Sequence, residues 1–354
     1  MRELFHAQRL PVLQNKVFSS RKEALACPTG DIILVQDNKT GLIYNQVFDT
    51  GLIQYDSSYQ NEQAVSGVFQ EHLNEVMKII KRHFPLRSIA EIGCGKARFL
   101  ERLNRAGYDV IGFDPAYEGD DTRVVKSNFE QGMGISADGI VMRHILEHVA
   151  NPLEFLADVT RANGGRGVGY IEIPCLEWIG RNRTWFDIFY EHVNYFRLSD
   201  FHRMFSRIYE SGHCFNGQYI YAVADLTSLR TPRFYNKDRY TLPDDFLSGI
   251  ALARNKAMLA RHNAVWGGAS KGVIFSLYMQ RAGVELDFAI DINPAKQGRY
   301  MAGSGIHILP PAEAIEQLED SDNVFIMNSN YLPEIASQSG NRFNYHSVDN
   351  YEFQ

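Results

Sequence analysis

The chain has 354 residues, a formal net charge of -6, 45% hydrophobic residues and 22% charged residues; this is longer than the ~250–300 residues at which one hydrophobic core stops growing, and its composition is ordinary for a globular protein. The charge excludes a broad basic surface for nucleic acid, and no apolar run approaches the ~18 residues that cross a bilayer. "MRELFHAQRL" has no apolar signal core, and Cys27, Cys94, Cys175 and Cys214 are too scattered for a disulfide framework or a thiolate zinc site, so a reduced, cytoplasmic protein with no metal is expected.

Residues 1–65 place turn signals before short apolar runs, "CPTGD" before "IILVQ" and "NKTG" before "LIYNQVF", the pattern of a small β-rich lobe of antiparallel strands. From Val65 the period changes. Val68, Phe69, Leu73, Val76, Ile79 and Ile80 recur three and four apart, which predicts an amphipathic helix ending near "HFP". Residues 66–230 then alternate strand and helix: "SIAEIG", "ARFLERLNRAG", "YDVIGFD", "GIVMRHIL", "PLEFLADVTRA", "RGVGYIEIP" and "LSDFHRMFS", with "RIYESGHCF" and "QYIYAVADL" as a closing hairpin. The polar stretch 226–243 reads as a linker. In 244–354, "FLSGIALARNKAMLARH" predicts a helix, "AVWGG" a strand, "VIFSLYMQRAG" a helix, and "LDFAID" and "NVFIMNS" two more strands. "IAEIGCGKARFLERLNRAGYDVIGFDPA" and "NAVWGGASKGVIFSLYMQRAGVELDFAIDINPA" share one order of strand, Gly-rich turn, helix, strand, acid and proline. The expected fold class is α/β: a Rossmann-like domain, a second Rossmann-like domain and the small β-rich lobe.

In "EIGCGKARF", Gly93 and Gly95 let backbone amides approach a ligand where a strand becomes a helix, and Asp114 stands at the end of the next strand to take ribose hydroxyls. The turn suits a dinucleotide or S-adenosylmethionine. Arg98 replaces the third glycine of the dinucleotide fingerprint, and Glu91 supplies an acid for a cationic cofactor; both favour S-adenosylmethionine.

Together with "SNFE" and "IVMRHILEHVANPLEFL", this segment resembles the class I S-adenosylmethionine-dependent methyltransferases. The resemblance implies a donor site containing Glu91, Gly93, Gly95, Asp114, Pro115, Asn128, Phe129 and Arg143, with S-adenosyl-L-methionine as cofactor. "YEHVNYF", "WGGASKG", "DINPAKQGRY" and "IMNSNY" narrow the resemblance to the three-part sugar C-methyltransferases of deoxysugar biosynthesis, from about Tyr55 onward. That implies C-methylation next to a ketone on a nucleotide-linked sugar. Two departures stand out. The four-cysteine zinc unit of that family is reduced to Cys27, so no metal is carried over, and its Tyr-x-Glu-His has Phe189 in the tyrosine position.

A carbon acid needs a base, and imidazole has a pKa near working pH, about 6.5. In "WFDIFYEHVNYF", His192 is the candidate base and Glu191 the acid that orients it or holds its charged form. Trp185, Phe186, Phe189, Tyr190, Tyr195 and Phe196 form a water-excluding lid in this reading, with Tyr190 polarising the carbonyl. Neighbours in regular structure point apart, which leaves open that Glu191 or His192 lies at the surface. His144 and His148, four apart in "MRHILEH", share a helical face and either line the pocket near the methyl or pack; with Glu147 they lack the H-E-x-x-H order of a zinc site.

In "WGGASKG", Gly267, Gly268 and Gly272 with Lys271 suggest a helix start that binds phosphate, and Lys296 and Arg299 follow. Lys271, Gly268, Gly272 and Arg299 are the candidate contacts to a small-molecule substrate. Gly267, Ala269 and Gly272 with Asp291 also fit a dehydrogenase half, so three readings stand: sugar C-methylation, O- or N-methylation of another metabolite, and a non-catalytic or dehydrogenase-like nucleotide-binding protein. No feature speaks to oligomeric state.

Overall fold

The computed structural model describes residues 1–54, 59, 65–84 and 88–349. Nearly all of 55–64 in the expected N-terminal lobe, Pro85 at the expected helix end, and 350–354 of the expected C-terminal domain lie outside the described residues.

The N-terminal part contains β1 (Arg2–Pro11), β2 (Val17–Phe18), α1 (Arg21–Leu25), β3 (Thr29–Gln36) and β4 (Ile43–Asn45). β1 pairs antiparallel with β3, and β3 with β4. Asp37 sets the β3–β4 turn by accepting from the amides of Lys39 (2.9 Å) and Thr40 (2.6 Å), and Gly41 turns the chain at φ +71°. This is local turn chemistry, legible as "NKTG".

The middle domain runs α2 (Gly67–His83), β5 (Ser88–Ile92), α3 (Arg98–Arg105), β6 (Asp109–Phe113), β7 (Val124–Val125), β8 (Gly139–Arg143), α4 (Pro152–Ala162), β9 (Val168–Pro174), α5 (Leu176–Asn182), β10 (Asn194–Tyr195), α6 (Leu198–Met204), β11 (Ile208–Cys214) and β12 (Tyr219–Asp225). Its sheet has the order β11-β12-β9-β8-β5-β6-β7, parallel from β7 to β9 and closed by the antiparallel β11–β12 hairpin. Alternate strand residues enter different cores. Ile89, Val141 and Val223 pack with Leu73 and Val76 of α2 and Leu100 of α3, whereas Ile140, Ile171 and Ala222 pack with Leu156 of α4 and Phe201 of α6.

Beyond it lie α7 (Ser248–Ala257), β13 (Asn263–Trp266), α8 (Lys271–Arg281), β14 (Phe288–Ile290), β15 (Tyr300–Met301), β16 (Ile308–Leu309), α9 (Pro311–Gln317), β17 (Asn323–Ile326), α10 (Leu332–Gln338) and β18 (Asn344–Ser347). The sheet β16-β14-β13-β17-β18 is parallel throughout. The helix expected across "FLSGIALARNKAMLARH" is shorter, ending at Ala257, and the exposed Met258 and Leu259 follow it.

The N-terminal part is tied to both other domains. β10 completes its sheet in the order β1-β3-β4-β10, and β2 pairs with β15. Phe5, Leu10 and Ile32 share one core with Trp185 and Phe186 and with Phe275 and Phe325 of the C-terminal domain. Among the described residues no helix is long and apolar enough to cross a membrane.

Candidate active site

β5 ends at Ile92, and the chain turns through Gly93 (φ +74°) and Gly95 (φ +53°) into α3. A Cβ on Gly93 would lie 1.9 Å from Ile145 Cδ1, so close packing as well as the left-handed backbone demands glycine there. Asp114, just past β6, accepts from the Gly95 amide through Oδ2 and from the Ala116 amide through Oδ1, both at 2.8 Å. Glu91 is 3% exposed, and its Oε2 has no hydrogen-bond partner among the described residues. Burial pushes its carboxyl up to about 8 against the opposing pull of Arg143. Phe129 stands edge-on to Phe113 at 5.3 Å, while Asn128 and Pro115 are exposed. Glu91, Gly93, Gly95 and Asp114 thus meet at the carboxyl ends of β5 and β6, where a cationic nucleoside cofactor fits: an orphan buried carboxyl oxygen, a ribose-type acid and open backbone.

Arg143 ends β8 and turns inward: its Nε lies 3.3 Å from Glu172 Oε1, and its guanidinium sits 4.9 Å above the Phe99 ring. Glu172, 0% exposed, also meets His72 Nε2 at 3.1 Å and accepts from the Tyr170 hydroxyl at 2.6 Å. Burial would raise this carboxyl, but Arg143, His72 and His144 hold it well below the usual range. His144 follows at φ +53° with Nδ1 3.3 Å from Glu147 and Nε2 3.4 Å from Glu172. Burial disfavours its charge, yet the two carboxylates prevail and raise it to about 9. The shared helical face expected for His144 and His148 is corrected: Ile145 is non-helical and Leu146–His148 is a single 3-10 turn, although both imidazoles line one cavity.

That cavity, about 270 Å³, lies between the middle and C-terminal domains. His192 lines it, with its ring 4.0 Å from that of Phe189 and 4.8 Å from that of His148. Burial first, then the neighbouring His148, His144 and Lys271, hold His192 well below the ordinary imidazole range, so it is neutral. Glu191 and His192 are 1% and 9% exposed; neither lies at the surface, because this segment is irregular and adjacent side chains bury in separate places. Glu191 does not orient His192. Its Oε1 accepts from the Gln14 amide at 2.8 Å and its Oε2 from the Tyr59 hydroxyl at 2.6 Å.

Tyr190 is also corrected, since its ring lies over Gly30, stacks on Phe48 at 5.3 Å, and its hydroxyl accepts from the Asp49 amide at 2.8 Å, in the N-terminal core. Of the six aromatic residues expected as a lid, Phe189 lines the cavity. Trp185 and Phe186 pack instead on Phe275, at 5.9 and 6.4 Å. The cavity takes its aromatic walls from Trp178, Tyr219, Trp266 and Tyr331.

The second Gly-rich turn joins β13 to α8. The Gly268 amide donates to Asp291 Oδ2 at 2.9 Å, and Lys296 Nζ lies 3.2 Å from the same oxygen. Lys271 Nζ is 2.9 Å from Asp187 Oδ1, and a Cβ on Gly272 would lie 1.9 Å from the Gly267 carbonyl oxygen. Arg299 donates to Ser19 Oγ at 3.0 Å, outside the cavity. The four-residue phosphate set is therefore not assembled: carboxylates engage Gly268 and Lys271, Gly272 serves packing, and Arg299 points elsewhere. Lys271 remains at the cavity wall.

A family model described as a methyltransferase domain matches residues 66–208, and one described as a C-methyltransferase C-terminal domain matches 227–345. The chain is a class I S-adenosylmethionine-dependent methyltransferase. The methyltransferase is 22% identical over 334 residues to the C-methyltransferase NovU of Streptomyces niveus, covering 80% of this chain and 79% of that one. Among solved structures, a SAM dependent methyltransferase from Aquifex aeolicus aligns at 14% identity and TM-score 0.35, over 49% of this chain and 100% of that one. The Burkholderia thailandensis 1,6-didemethyltoxoflavin-N1-methyltransferase, with S-adenosylhomocysteine bound, aligns at 14% identity and TM-score 0.35, over 45% and 80%.

Several cavity residues of the methyltransferase carried little signal in sequence. Gln218 and Asn328 exchange side-chain hydrogen bonds of 2.7 and 3.0 Å across the domain boundary, and Glu334 accepts from Ser66 Oγ, the cap of α2, at 2.7 Å. Tyr59 lines the cavity between Asn15 and Glu191. Asp187 did carry one, as an acid inside an aromatic run.

Proposed function

We propose that this methyltransferase adds a methyl group to a carbon beside a ketone on a nucleotide-linked sugar, a small cytoplasmic metabolite, with His192 as the base. The bound donor supplies an electrophilic methyl group on a sulfonium. The chain's task is to make the acceptor nucleophilic: a neutral His192 accepts the α proton, and the aromatic walls formed by Phe189, Trp178 and Tyr219 keep water from the enolate. Glu91 and Asp114 hold the donor end, and Lys271 and the crevice beyond β13 and β14 hold the nucleotide.

The observation that carries this reading is the continuity of the cavity. It runs from His192 and His148 to Gly267, Asp291 and Asn293 at the carboxyl edge of the C-terminal parallel sheet, where open α/β sheets bind nucleotides. One cavity joins a base to a nucleotide-type crevice. The test is mass spectrometry after incubation with labelled S-adenosylmethionine, nucleotide-sugars and free metabolites, in deuterated water. Carbon methylation with wash-out of the α hydrogen is expected; methyl on oxygen or nitrogen would refute it.

A further inference from the structure

Sequence adjacency pairs His192 with Glu191, but folding gives the Glu191 carboxylate to Gln14 and Tyr59. A different carboxylate comes to His192. Ligand-type atoms of Glu147, His148 and His192 lie within 4.8 Å of one another at the cavity wall. Glu147 is 1% exposed; His144 Nδ1 engages Oε1 at 3.3 Å, while Oε2 is buried with no hydrogen-bond partner among the described residues. Leaving such an atom unsatisfied is costly, and an orphan acceptor beside a base is a place for a donor presented during turnover.

We infer that Glu147 is the positioning carboxylate of His192, an inference that rests on the proton-abstraction reading above. When His192 takes the α proton, the C–H electron pair stays on the acceptor as the enolate, and the N–H of the other ring nitrogen, now part of an imidazolium, is held by Glu147 Oε2. The enolate pair then forms the C–CH3 bond, the S–CH3 pair remains on sulfur, and His192 returns its proton to solvent as the product leaves. His144, set between Glu147 and Glu172, fixes Oε1 and with it the plane of the carboxylate. The other charges facing His192 are His148 from the same turn as Glu147, Lys271 from α8 with its partner Asp187, and Glu191 from its own segment. His148, His144 and Lys271 all oppose protonation of His192, and the Glu147 carboxylate, within 4.8 Å, is the group placed to hold its charged form.

The test needs no substrate. Diethylpyrocarbonate acylates neutral imidazole at a rate that rises with basicity. Tryptic cleavage after Arg183 and Arg197 yields a peptide in which His192 is the single histidine, and His148 falls in another. In the full-length protein at pH 7, Glu147→Gln is expected to slow His192 acylation about threefold or more, and Glu147→Asp, which keeps the charge for His144, by less. Exposed His6 serves as the internal standard and keeps its rate. A His192 rate unmoved in both variants would overturn the inference. Loss of α-hydrogen wash-out in the unaltered protein would instead strike the reaction reading, so the two failures are distinguishable.

Discussion

Asp291 accepts the Gly268 amide at 2.9 Å, the same bond that Asp114 takes from Gly95 at 2.8 Å, so each Gly-rich turn is closed by the acid that ends the next strand. The two turns differ in their surroundings. Gly268 has Lys296 beside its acid, whereas Gly95 has nearby the buried oxygen of Glu91 that lacks a partner among the described residues, which suits the first turn to a cation.

Asp114→Ala is expected to weaken S-adenosylmethionine binding by ~1.5–3 kcal/mol, the loss of a charge-assisted hydrogen bond. Calorimetry reads this directly. Unchanged affinity would remove Asp114 from the donor site.

Glu91 makes donor binding proton-linked. Burial raises its carboxyl to about 8, so it is mostly protonated at pH 7, and an arriving cation favours its ionised form. Binding at pH 7 should release close to one proton, seen as an enthalpy that varies with the ionisation heat of the buffer. Glu91→Gln should abolish that dependence.

Glu172 is a stability prediction. Its carboxyl is depressed in the fold, so its stabilisation is present above the unfolded pKa of about 4.3 and is lost as pH falls through the lower folded value. Glu172→Gln leaves Arg143 buried without its anion and should cost ~3–5 kcal/mol in denaturant unfolding at pH 7, with a much smaller difference in strong acid. His144 has the opposite sign: raised to about 9, it stabilises fully below about 6.5, and that contribution is lost as pH rises through about 9.

His192→Ala should leave donor affinity nearly unchanged while turnover falls ~10²–10⁴-fold, because it removes proton transfer and no donor contact. Glu191→Gln should act differently. Since Glu191 joins Gln14 and Tyr59 to the segment that carries His192, its loss is expected to lower thermal stability as well as rate. Full-rate product from His192→Ala would end its role as the base.

By itself the sequence determined the two βαβ units, the Gly93–Asp114 and Gly267–Asp291 turns, the β3–β4 turn and the β11–β12 hairpin. These follow from periods of 2 and 3.6 and from local backbone demands that glycine and aspartate meet within a few residues. Only the tertiary structure decided which partner each buried polar group found. Glu191 meets Gln14 from 177 positions away and Tyr59 from 132, Tyr190 turns to Asp49, Lys271 pairs with Asp187, and β10 leaves its own domain to finish the N-terminal sheet. The reason is physical: a buried carboxylate or amide must be satisfied by whatever the packed chain brings within about 3 Å, and distance along the sequence places no limit on that choice.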